Sequence, residues 1–442
     1  MKNSKGVRVS KCRTRRDFLK TSALAAAGLW SGRRVWGNAK LSANEKLGIA
    51  VIGVCGQGNW NLEQLIGTNQ AIVALCDVDE KRSAKARARV PEASFYVDFR
   101  RMLDERHKDI DAVLIATPDH THAVATMAAM RLGKHVYCEK PLTHSVWEAR
   151  QLIEMARKTK LATQMGTQIH AGSNYRRVVE LIQTGAIGTV REVLVWCSRV
   201  WSGGKRPTDT PPVPEGLHWD LWLGPAPERP YHPAYAPAAW RGWWDFGGGA
   251  HTDMACHYMD LAHWALDLRH PVVIEAEGPP VDPESAPAKL TVRYEYPARG
   301  KQPPVKLTWS VGSKHPDKYV EGVMPNWGDG LLFIGDKGML AADYGRYQLL
   351  PEKEFAGFQP PEPFIPESIG HHAEWIKACK EGTPTLCNFE YSGALTETVL
   401  LGNVAYRSGS RIEWDAEHMR IPNNSRAEQF LRREYRNASE WW

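Results

Sequence analysis

Short apolar segments alternate with longer stretches of mixed polarity along the first third of the chain. The apolar segments are rich in aliphatic residues, and the stretches between them space their apolar positions as a helix does. Continuous apolar strands separated by helices are typical of a parallel sheet covered by helices on both faces. We therefore predict an α/β, doubly wound domain at residues 40–165. Its predicted strands are residues 47–52, 71–76, 111–116 and 135–137, with helices ending near residues 68 and 131.

This alternation stops after residue 165, and longer strands with alternating polar and apolar positions follow. The predicted strands are residues 190–197, 289–296 and 305–311. Such strands favour a mostly antiparallel sheet with helices on one face, which makes residues 166–422 an α+β domain. Residues 203–237 are rich in proline and aromatic residues and are predicted to form an extended loop. Residues 423–442 are predicted to be a peripheral C-terminal tail.

Glycines follow the first predicted strand and open a helix. The loop reads Gly53-Val54-Cys55-Gly56-Gln57-Gly58, so cysteine holds the second position of the G-x-G-x-x-G pattern. Glycines allow the backbone to approach a pyrophosphate, which then lies at a helix N-terminus. Asp77 ends the second predicted strand and can bond the ribose hydroxyls of an adenosine. Its charge would repel a 2′-phosphate, so the pattern favours NAD over NADP.

Two further motifs fall at the ends of predicted strands. Thr117-Pro118-Asp119-His120-Thr121-His122 lies where a strand gives way to a helix, and Asp119 could simply cap that helix. Glu139-Lys140-Pro141 follows the next strand. The carboxyl edge of a parallel sheet is where ligands bind in such folds. We therefore predict that Lys140 points into a cofactor cleft rather than forming a surface ion pair.

Together these motifs resemble the Gfo/Idh/MocA oxidoreductases, over residues 45–420. The resemblance implies a Rossmann domain followed by a domain built on a large, mostly antiparallel open sheet, through which the chain would form a homo-oligomer. It also implies tightly bound NAD. The cofactor-binding residues it implies are Gly53, Cys55, Gly56, Gln57, Gly58, Asp77, Thr117, Pro118, His122, Glu139 and Lys140.

A second chemical motif lies in residues 240–260. Asp253 and His257 are four residues apart on a predicted helix and share one face, and the pair resembles the family's D-x-x-x-H element of the substrate cleft. Oxidising a secondary alcohol requires a group that accepts the hydroxyl proton, and histidine titrates near neutrality. We assign His257 as general base, Lys140 as alkoxide stabiliser or proton relay, and Asp253 as the group that orients a substrate hydroxyl or the imidazole. The division between Lys140 and His257 stays open.

Other interpretations compete with this one. His251, Asp253, His257 and His263 could form a metal site, although Lys140 would repel a cation, and we predict no metal. His257 could instead be a core histidine. A cluster of tryptophans near the presumed cleft suits core packing as well as the C–H faces of sugars, and it favours a carbohydrate substrate. The rival functions are an NAD-dependent glycosidase or lyase without net redox change, and a non-catalytic dinucleotide sensor.

The composition and the distribution of charge exclude two classes of function. The chain has 442 residues, 43% hydrophobic and 24% charged, and its net charge is +6. Residues 1–39 hold ten of the basic residues, and the remainder has 46 basic and 49 acidic residues, a charge of −3. No basic stripe therefore suggests nucleic acid, and no apolar run is long enough to span a membrane.

The basic N-terminal segment has the layout of a secretory signal. Arg15 and Arg16, followed by Phe18 and Leu19, resemble the twin-arginine (Tat) motif, and an alanine-rich run and small residues follow. Residues 1–39 are therefore predicted to be a Tat signal peptide read by the Tat translocase, which places the protein in the periplasm or outside the cytoplasm. Seven cysteines without a C-x-x-C motif follow and are predicted to be buried thiols.

Overall fold

The computed structural model describes residues 45–315 and 324–442. The predicted signal peptide at residues 1–39 lies outside the described residues. Within them the chain forms two sheets of six and eight strands.

The first sheet is wholly parallel and confirms the predicted doubly wound domain. Its strands are β1 Gly48–Ile52, β2 Ala71–Cys76, β3 Ser94–Tyr96, β4 Ala112–Ile115, β5 His135–Cys138 and β6 Thr163–Met165. The helices of this domain are α1 Gln57–Gly67, α2 Ala84–Arg89, α3 Phe99–Arg106, α4 Asp119–Arg131 and α5 Val146–Thr159. The strand order is β3-β2-β1-β4-β5-β6. β1 and β4 are buried along their whole length, as expected for strands covered on both faces.

The second sheet is mixed and mostly antiparallel, as predicted. Its strands are β7 Val190–Cys197, β8 Val273–Glu277, β9 Leu290–Tyr296, β10 Val305–Val311, β11 Asp329–Gly335, β12 Met339–Ala342, β13 Tyr347–Leu350 and β14 Ile412–Glu413. The remaining helices are α6 Ser173–Gln183, α7 Trp219–Leu223, α8 Gly249–Ala265, α9 His371–Glu381, α10 Phe389–Ser408 and α11 Ala438–Trp441. The strand order is β13-β12-β11-β7-β10-β9-β8-β14, and only β7 and β10 pair in parallel among these neighbours. Short 3-10 turns lie at Gln168–Ala171, Ala239–Gly242, Glu352–Phe355 and Ser425–Phe430.

Two buried helices connect the sheets. α10 has small or apolar residues around most of its circumference, is buried through most of its length, and packs against both α5 of the first domain and α8 of the second. α8 in turn lies against β7, β10 and β11. The helix that carries Asp253 and His257 is therefore fixed to the sheet on one side and faces the first domain on the other.

The predicted extended loop at residues 203–237 is largely irregular and contains α7. It joins the first domain just after β2: Leu217 forms an isolated antiparallel bridge with Asp79, and the backbone N–H of His218 donates to the Val78 carbonyl at 2.9 Å. The loop therefore covers the carboxyl end of β2, next to Asp77.

The C-terminal segment, predicted to be a peripheral tail, is instead packed against the rest of the chain. Ala427, Leu431 and Trp441 are buried, and Arg433 bonds the buried carboxylate of Glu148 on α5. These contacts join residues far apart in sequence, so no local pattern in residues 423–442 indicated them.

The described residues contain no helix with both the length and the apolar character needed to cross a bilayer. All seven cysteines of the described residues are free thiols, as predicted, and six of them are buried, whereas Cys55 is partly exposed.

Candidate active site

A cavity of about 630 Å³ opens at the carboxyl ends of the strands of the first sheet. This volume lies within the range of small-molecule and cofactor sites. Its walls come from the glycine loop, from the segments after β2, β4 and β5, from the covering loop at residues 203–237, and from α8. The cavity therefore lies between the two domains, where ligands bind in open parallel sheets.

Glycines allow the loop after β1 to pack closely against its neighbours at the floor of this cavity. Gly53 has φ of 80°, and a Cβ there would lie 2.7 Å from the Ala116 carbonyl group. A Cβ on Gly58 would lie 1.8 Å from the Gly53 oxygen, so only glycine fits where α1 meets β1. Gly53, Cys55, Gly56 and Gln57 line the cavity, whereas Gly58 lies behind them. Cysteine at the second position is thus accommodated, and the backbone stays open to a pyrophosphate at the start of α1.

Asp77 stands at the end of β2 and lines the same cavity. Its carboxylate accepts the backbone N–H of Val54 at 2.8 Å and that of Asp79 at 3.0 Å. Burial raises the pKa of Asp77 above its ordinary value, against these two hydrogen bonds. Both bonds fix the carboxylate beside the glycine loop, the position that binds adenosine ribose in dinucleotide folds.

In the segment after β4, some residues are available to a ligand and one is occupied by contacts within the chain. Thr117 and Pro118 line the cavity, and the Thr117 hydroxyl is buried without a hydrogen-bond partner, which leaves it available to a ligand. His122 also lines the cavity, but its two ring nitrogens lie 2.7 Å from the Pro141 oxygen and 2.8 Å from the Thr117 oxygen. His122 therefore holds the two chain segments together, rather than offering a free ring nitrogen to the cofactor.

Glu139 is buried, lines the cavity and connects three elements there. Its carboxylate accepts from the side-chain amides of Asn61 at 2.9 Å, Gln57 at 3.3 Å and Gln168 at 2.7 Å. Burial raises the pKa of Glu139, whereas these hydrogen bonds and Lys140 lower it. Glu139 thus anchors the glycine helix to the end of β5 and fixes the backbone from which Lys140 extends.

Lys140 meets Asp253 across the cavity. The ammonium group bonds Asp253 Oδ1, and both side chains are almost wholly buried. Asp253 Oδ2 accepts from the Trp201 indole N–H at 2.6 Å, and Arg241 Nε lies 3.2 Å from Oδ1. Although burial alone would raise the pKa of Asp253, the charges of Lys140 and Arg241 hold it well below its usual range. Asp253 therefore positions the lysine, not the imidazole.

His257 lines the cavity one helical turn after Asp253. Its Nδ1 is buried without a hydrogen-bond partner. Burial and the neighbouring Lys140 charge lower the pKa of His257 to about 3, so the imidazole is neutral at pH 7. A neutral imidazole beside an ammonium group provides one proton acceptor and one donor in the same cleft.

The alternative metal site does not assemble. His251 Nε2 lies 2.8 Å from the Val399 carbonyl oxygen, and His263 Nε2 lies 2.9 Å from the Tyr296 hydroxyl. Within the described ranges the group with metal-ligand spacing is His170, Asp260 and Cys387, and none of these residues lines the cavity. The histidines of α8 other than His257 are core residues.

Sequence reasoning missed Arg241 and Trp441, and it placed Trp201 in the tryptophan cluster near the cleft without predicting its bond to Asp253. Arg241 lines the cavity beside Asp253, Trp201 bonds Asp253, and Trp441 closes the far wall. Arg241 falls inside the motif at residues 240–260 and could have been noticed there. Trp201 and Trp441 reach the site only through the tertiary fold.

Because the protein contains several buried, neutral histidines, we expect its free energy of unfolding to fall in acid. Their pKa values are lowered to about 3 or 4 by burial, so each takes up a proton on unfolding below about pH 6.5. The histidines are His120, His122, His251, His257, His263, His371 and His372. Three buried carboxyls, Asp77, Asp119 and Glu139, have raised pKa values and oppose this effect.

On balance the unfolded chain binds more protons between about pH 4 and 6.5, so stability rises with pH in that window and is lost as pH falls. We expect the free energy of unfolding, measured by urea titration, to fall by several kcal/mol per pH unit there. A free energy that stays constant from pH 7 to 4 would contradict these protonation states.

The two halves of the chain match the two models of one oxidoreductase family. Residues 47–167 match its NAD-binding Rossmann fold and residues 174–323 match its C-terminal alpha/beta domain. These matches define a protein with an NAD-binding Rossmann domain and the family's second domain. Together they span more than half of the chain, which belongs to the Gfo/Idh/MocA oxidoreductase family.

Named relatives cover only part of the chain. Inositol 2-dehydrogenase 3 of Saccharopolyspora erythraea is 30% identical over 150 residues, 33% of this chain and 42% of the relative. A glycosyl hydrolase family 109 protein of the same organism is 31% identical over 204 residues, 40% of this chain and 44% of the relative. The aligned part thus spans less than half the length of these relatives.

Solved structures share the fold over most of the chain. The WlbA dehydrogenase from Bordetella pertussis, in complex with NADH and UDP-GlcNAcA, superposes with a TM-score of 0.60. The match covers 84% of this chain and 99% of that one, at 17% sequence identity. This likeness concerns the fold.

Proposed function

We propose that this protein is an NAD-dependent oxidoreductase that transfers hydride between nicotinamide and a secondary hydroxyl of a sugar, cyclitol or glycoside. The observation that carries the proposal is the buried Lys140–Asp253 ion pair beside neutral His257, in a cavity whose floor is the glycine loop. A donor and an acceptor of protons next to a dinucleotide site are what alcohol oxidation requires.

The residues divide the work as follows. NAD, when bound, supplies the acceptor of the hydride. The His257 imidazole, which is neutral and lines the cavity, takes the proton of the substrate hydroxyl. The Lys140 ammonium donates a hydrogen bond to the same oxygen and stabilises its developing negative charge. Asp253 holds the ammonium in place together with Trp201, and in ketone reduction the proton moves in the opposite direction.

A carbohydrate or cyclitol substrate is supported by the relatives and by the cavity wall. One relative is named inositol 2-dehydrogenase, and a similar fold was solved with a nucleotide sugar acid. Trp222 and Trp240 line the cavity, and flat indole rings suit the C–H faces of sugars.

The second candidate is an NAD-dependent glycosidase that oxidises a sugar transiently, eliminates the aglycone and returns the hydride. The relative named as glycosyl hydrolase family 109 protein favours it. The same acid–base pair serves this pathway, since elimination next to a carbonyl also needs a proton acceptor and a donor.

One experiment separates the two candidates. Purified protein is mixed with sugars, polyols and aryl glycosides without added cofactor, while the reduced-nicotinamide absorbance and the released aglycone are recorded. A dehydrogenase with bound NAD gives up to one equivalent of NADH and continues to turn over with added NAD. Catalytic aglycone release without net NADH would replace the first proposal with the glycosidase.

We further propose export by the Tat route, on the basis of Arg15 and Arg16 in the N-terminal segment, and a homo-oligomer formed through the open sheet of the second domain. Exchanging both arginines for lysine is expected to retain the protein in the cytoplasmic fraction of cells. If the amount of this variant in the periplasmic fraction equalled that of the wild type, the export proposal would be refuted. The mass of the native particle by light scattering tests the oligomer.

A further inference from the structure

The last ten residues of the chain lie outside both family models and are held firmly to the first domain. Arg433 donates to Glu148 Oε1 at 2.8 and 2.9 Å, and the Tyr435 hydroxyl donates to the same oxygen at 2.6 Å. Glu148 belongs to α5 and is completely buried. Charge-assisted hydrogen bonds to a buried carboxylate are strong, so this anchor fixes the path of the tail.

A second anchor joins the tail to the covering loop. The Arg436 backbone N–H donates to the Pro225 oxygen at 3.0 Å, and its guanidinium bonds Asp220 Oδ1 at 2.5 Å and the Gly224 oxygen at 3.1 Å. Residues 214–222 of that loop include wall residues of the cavity. The tail therefore connects the first domain directly to the segment that covers the cavity.

Beyond these anchors the tail reaches the cavity. Trp441 is 7% exposed and lines the cavity together with Val97, Asp98 and Phe99. The Arg100 guanidinium lies 4.2 Å from the centre of the Trp441 ring. The indole N–H of Trp441 is buried and has no hydrogen-bond partner.

This wall belongs to the adenosine end of the cavity. Residues 97–99 follow β3, which pairs with β2, and β2 ends at Asp77. In Rossmann domains the acidic residue at the end of the second strand bonds the ribose of the adenosine half. The nicotinamide end lies at Lys140 and His257, on the other side of the glycine loop.

We infer that Trp441 is a cofactor-binding residue that contacts the adenosine half of NAD, and that the anchored tail holds the covering loop closed over it. The inference rests on the NAD site of the proposed function and extends it to a part of the chain that neither family model includes. An aromatic ring offers a large contact area to a flat base, and its free N–H offers one hydrogen bond. Because the tail is anchored to both the first domain and the covering loop, its contact with the cofactor is expected to slow the dissociation of NAD.

The chain offers a matched control next to this residue. Trp442 packs on Trp147, with ring centroids 4.8 Å apart, and does not line the cavity. The full-length variants Trp441→Ala and Trp442→Ala remove the same side chain from adjacent positions. The dissociation rate of NAD is measured by stopped-flow fluorescence after displacement, and the Kd values of ADP-ribose and nicotinamide mononucleotide are measured by calorimetry.

We expect Trp441→Ala to raise the NAD dissociation rate at least about tenfold and to weaken ADP-ribose similarly, while nicotinamide mononucleotide binding stays within about twofold. Trp442→Ala should leave the NAD dissociation rate and the Kd values of ADP-ribose and nicotinamide mononucleotide within about twofold of wild type. The less disruptive Trp441→Phe keeps a ring without the N–H, and we expect an intermediate rate. Equal effects of the Trp441→Ala and Trp442→Ala variants, or a Trp441→Ala rate within twofold of wild type, would overturn the inference.

Failure of the underlying function gives a different result. If wild-type protein bound neither NAD nor ADP-ribose, the NAD site itself would be refuted. If wild type bound both and the Trp441 variants bound them equally well, only the role of the tail would be refuted.

Discussion

Replacing Lys140 by methionine is expected to lower kcat by about 10³-fold while NAD still binds. Methionine has a similar length and no charge, so the cleft loses the donor that stabilises the substrate oxygen. One preorganised donor to a developing oxyanion contributes about 10²–10³ in rate, and the loss of the ammonium also leaves the buried Asp253 without its closest partner. The measurement is steady-state turnover with the best substrate of the panel, with NAD affinity determined separately.

Lys140→Arg is expected to restore little activity. The planar guanidinium is larger than an ammonium group and places its donors elsewhere, so charge alone does not restore the geometry. Lys85→Met is the control, because Lys85 is exposed on α2 and absent from the cavity wall. If Lys140→Met retained more than a tenth of wild-type kcat, Lys140 would not have the assigned role.

Gly58→Ala is expected to abolish measurable NAD binding and to destabilise the first domain. The new methyl group would lie 1.8 Å from the Gly53 oxygen, a backbone atom that cannot move without displacing the loop. Overpacking of this kind costs about 1–3 kcal/mol, and the shifted loop no longer presents its N–H groups to a pyrophosphate. Calorimetric titration with NAD and urea unfolding measure the two effects.

The same helix carries the control for this substitution. Gly67 is the last residue of α1, and a Cβ there would meet no atom within 4 Å. Gly67→Ala is expected to leave NAD binding unchanged and to stabilise the protein by up to about 1 kcal/mol, as alanine favours helix. Equal NAD affinity in both variants would show that close packing at Gly58 does not shape the site.

The parallel sheet was predictable because its signals are local. Apolar runs of four to six residues separated by amphipathic helices gave β1, β2, β4 and β5 within about a residue of their ends, and β7 and β10 followed from their alternating pattern. The short edge strands β13 and β14 have no such pattern, since their pairing depends on neighbours far away in sequence. The prediction for the C-terminal tail was wrong for the same reason. From the sequence alone Arg433 is expected at the surface, because nothing local indicates its contact with Glu148.

For the site, too, the residues that follow from local patterns were predictable, and those that depend on distant contacts were not. Lys140 and the glycine loop were predictable because each stands at a strand end, and Asp253 and His257 because four residues make one helical turn. The partners of Asp253 were not predictable, since Trp201 reaches it across a fold that brings β7 to α8. Asp253 was predicted to orient a substrate hydroxyl or the imidazole, and neither alternative named Lys140, the partner that it bonds in the structure.

The burial of the cysteines has a consequence for how this protein can be handled. The thiolate, not the thiol, attacks disulfides and oxidants, and burial raises the pKa of Cys55 in the glycine loop to about 12. Burial likewise keeps the pKa of Cys76, Cys379 and Cys387 well above the ordinary value. These thiols stay protonated at neutral pH in air-saturated and in reducing buffer alike. In the described part of the chain, these thiols are therefore expected to react slowly with oxidants when the protein moves from reducing to oxidising buffer.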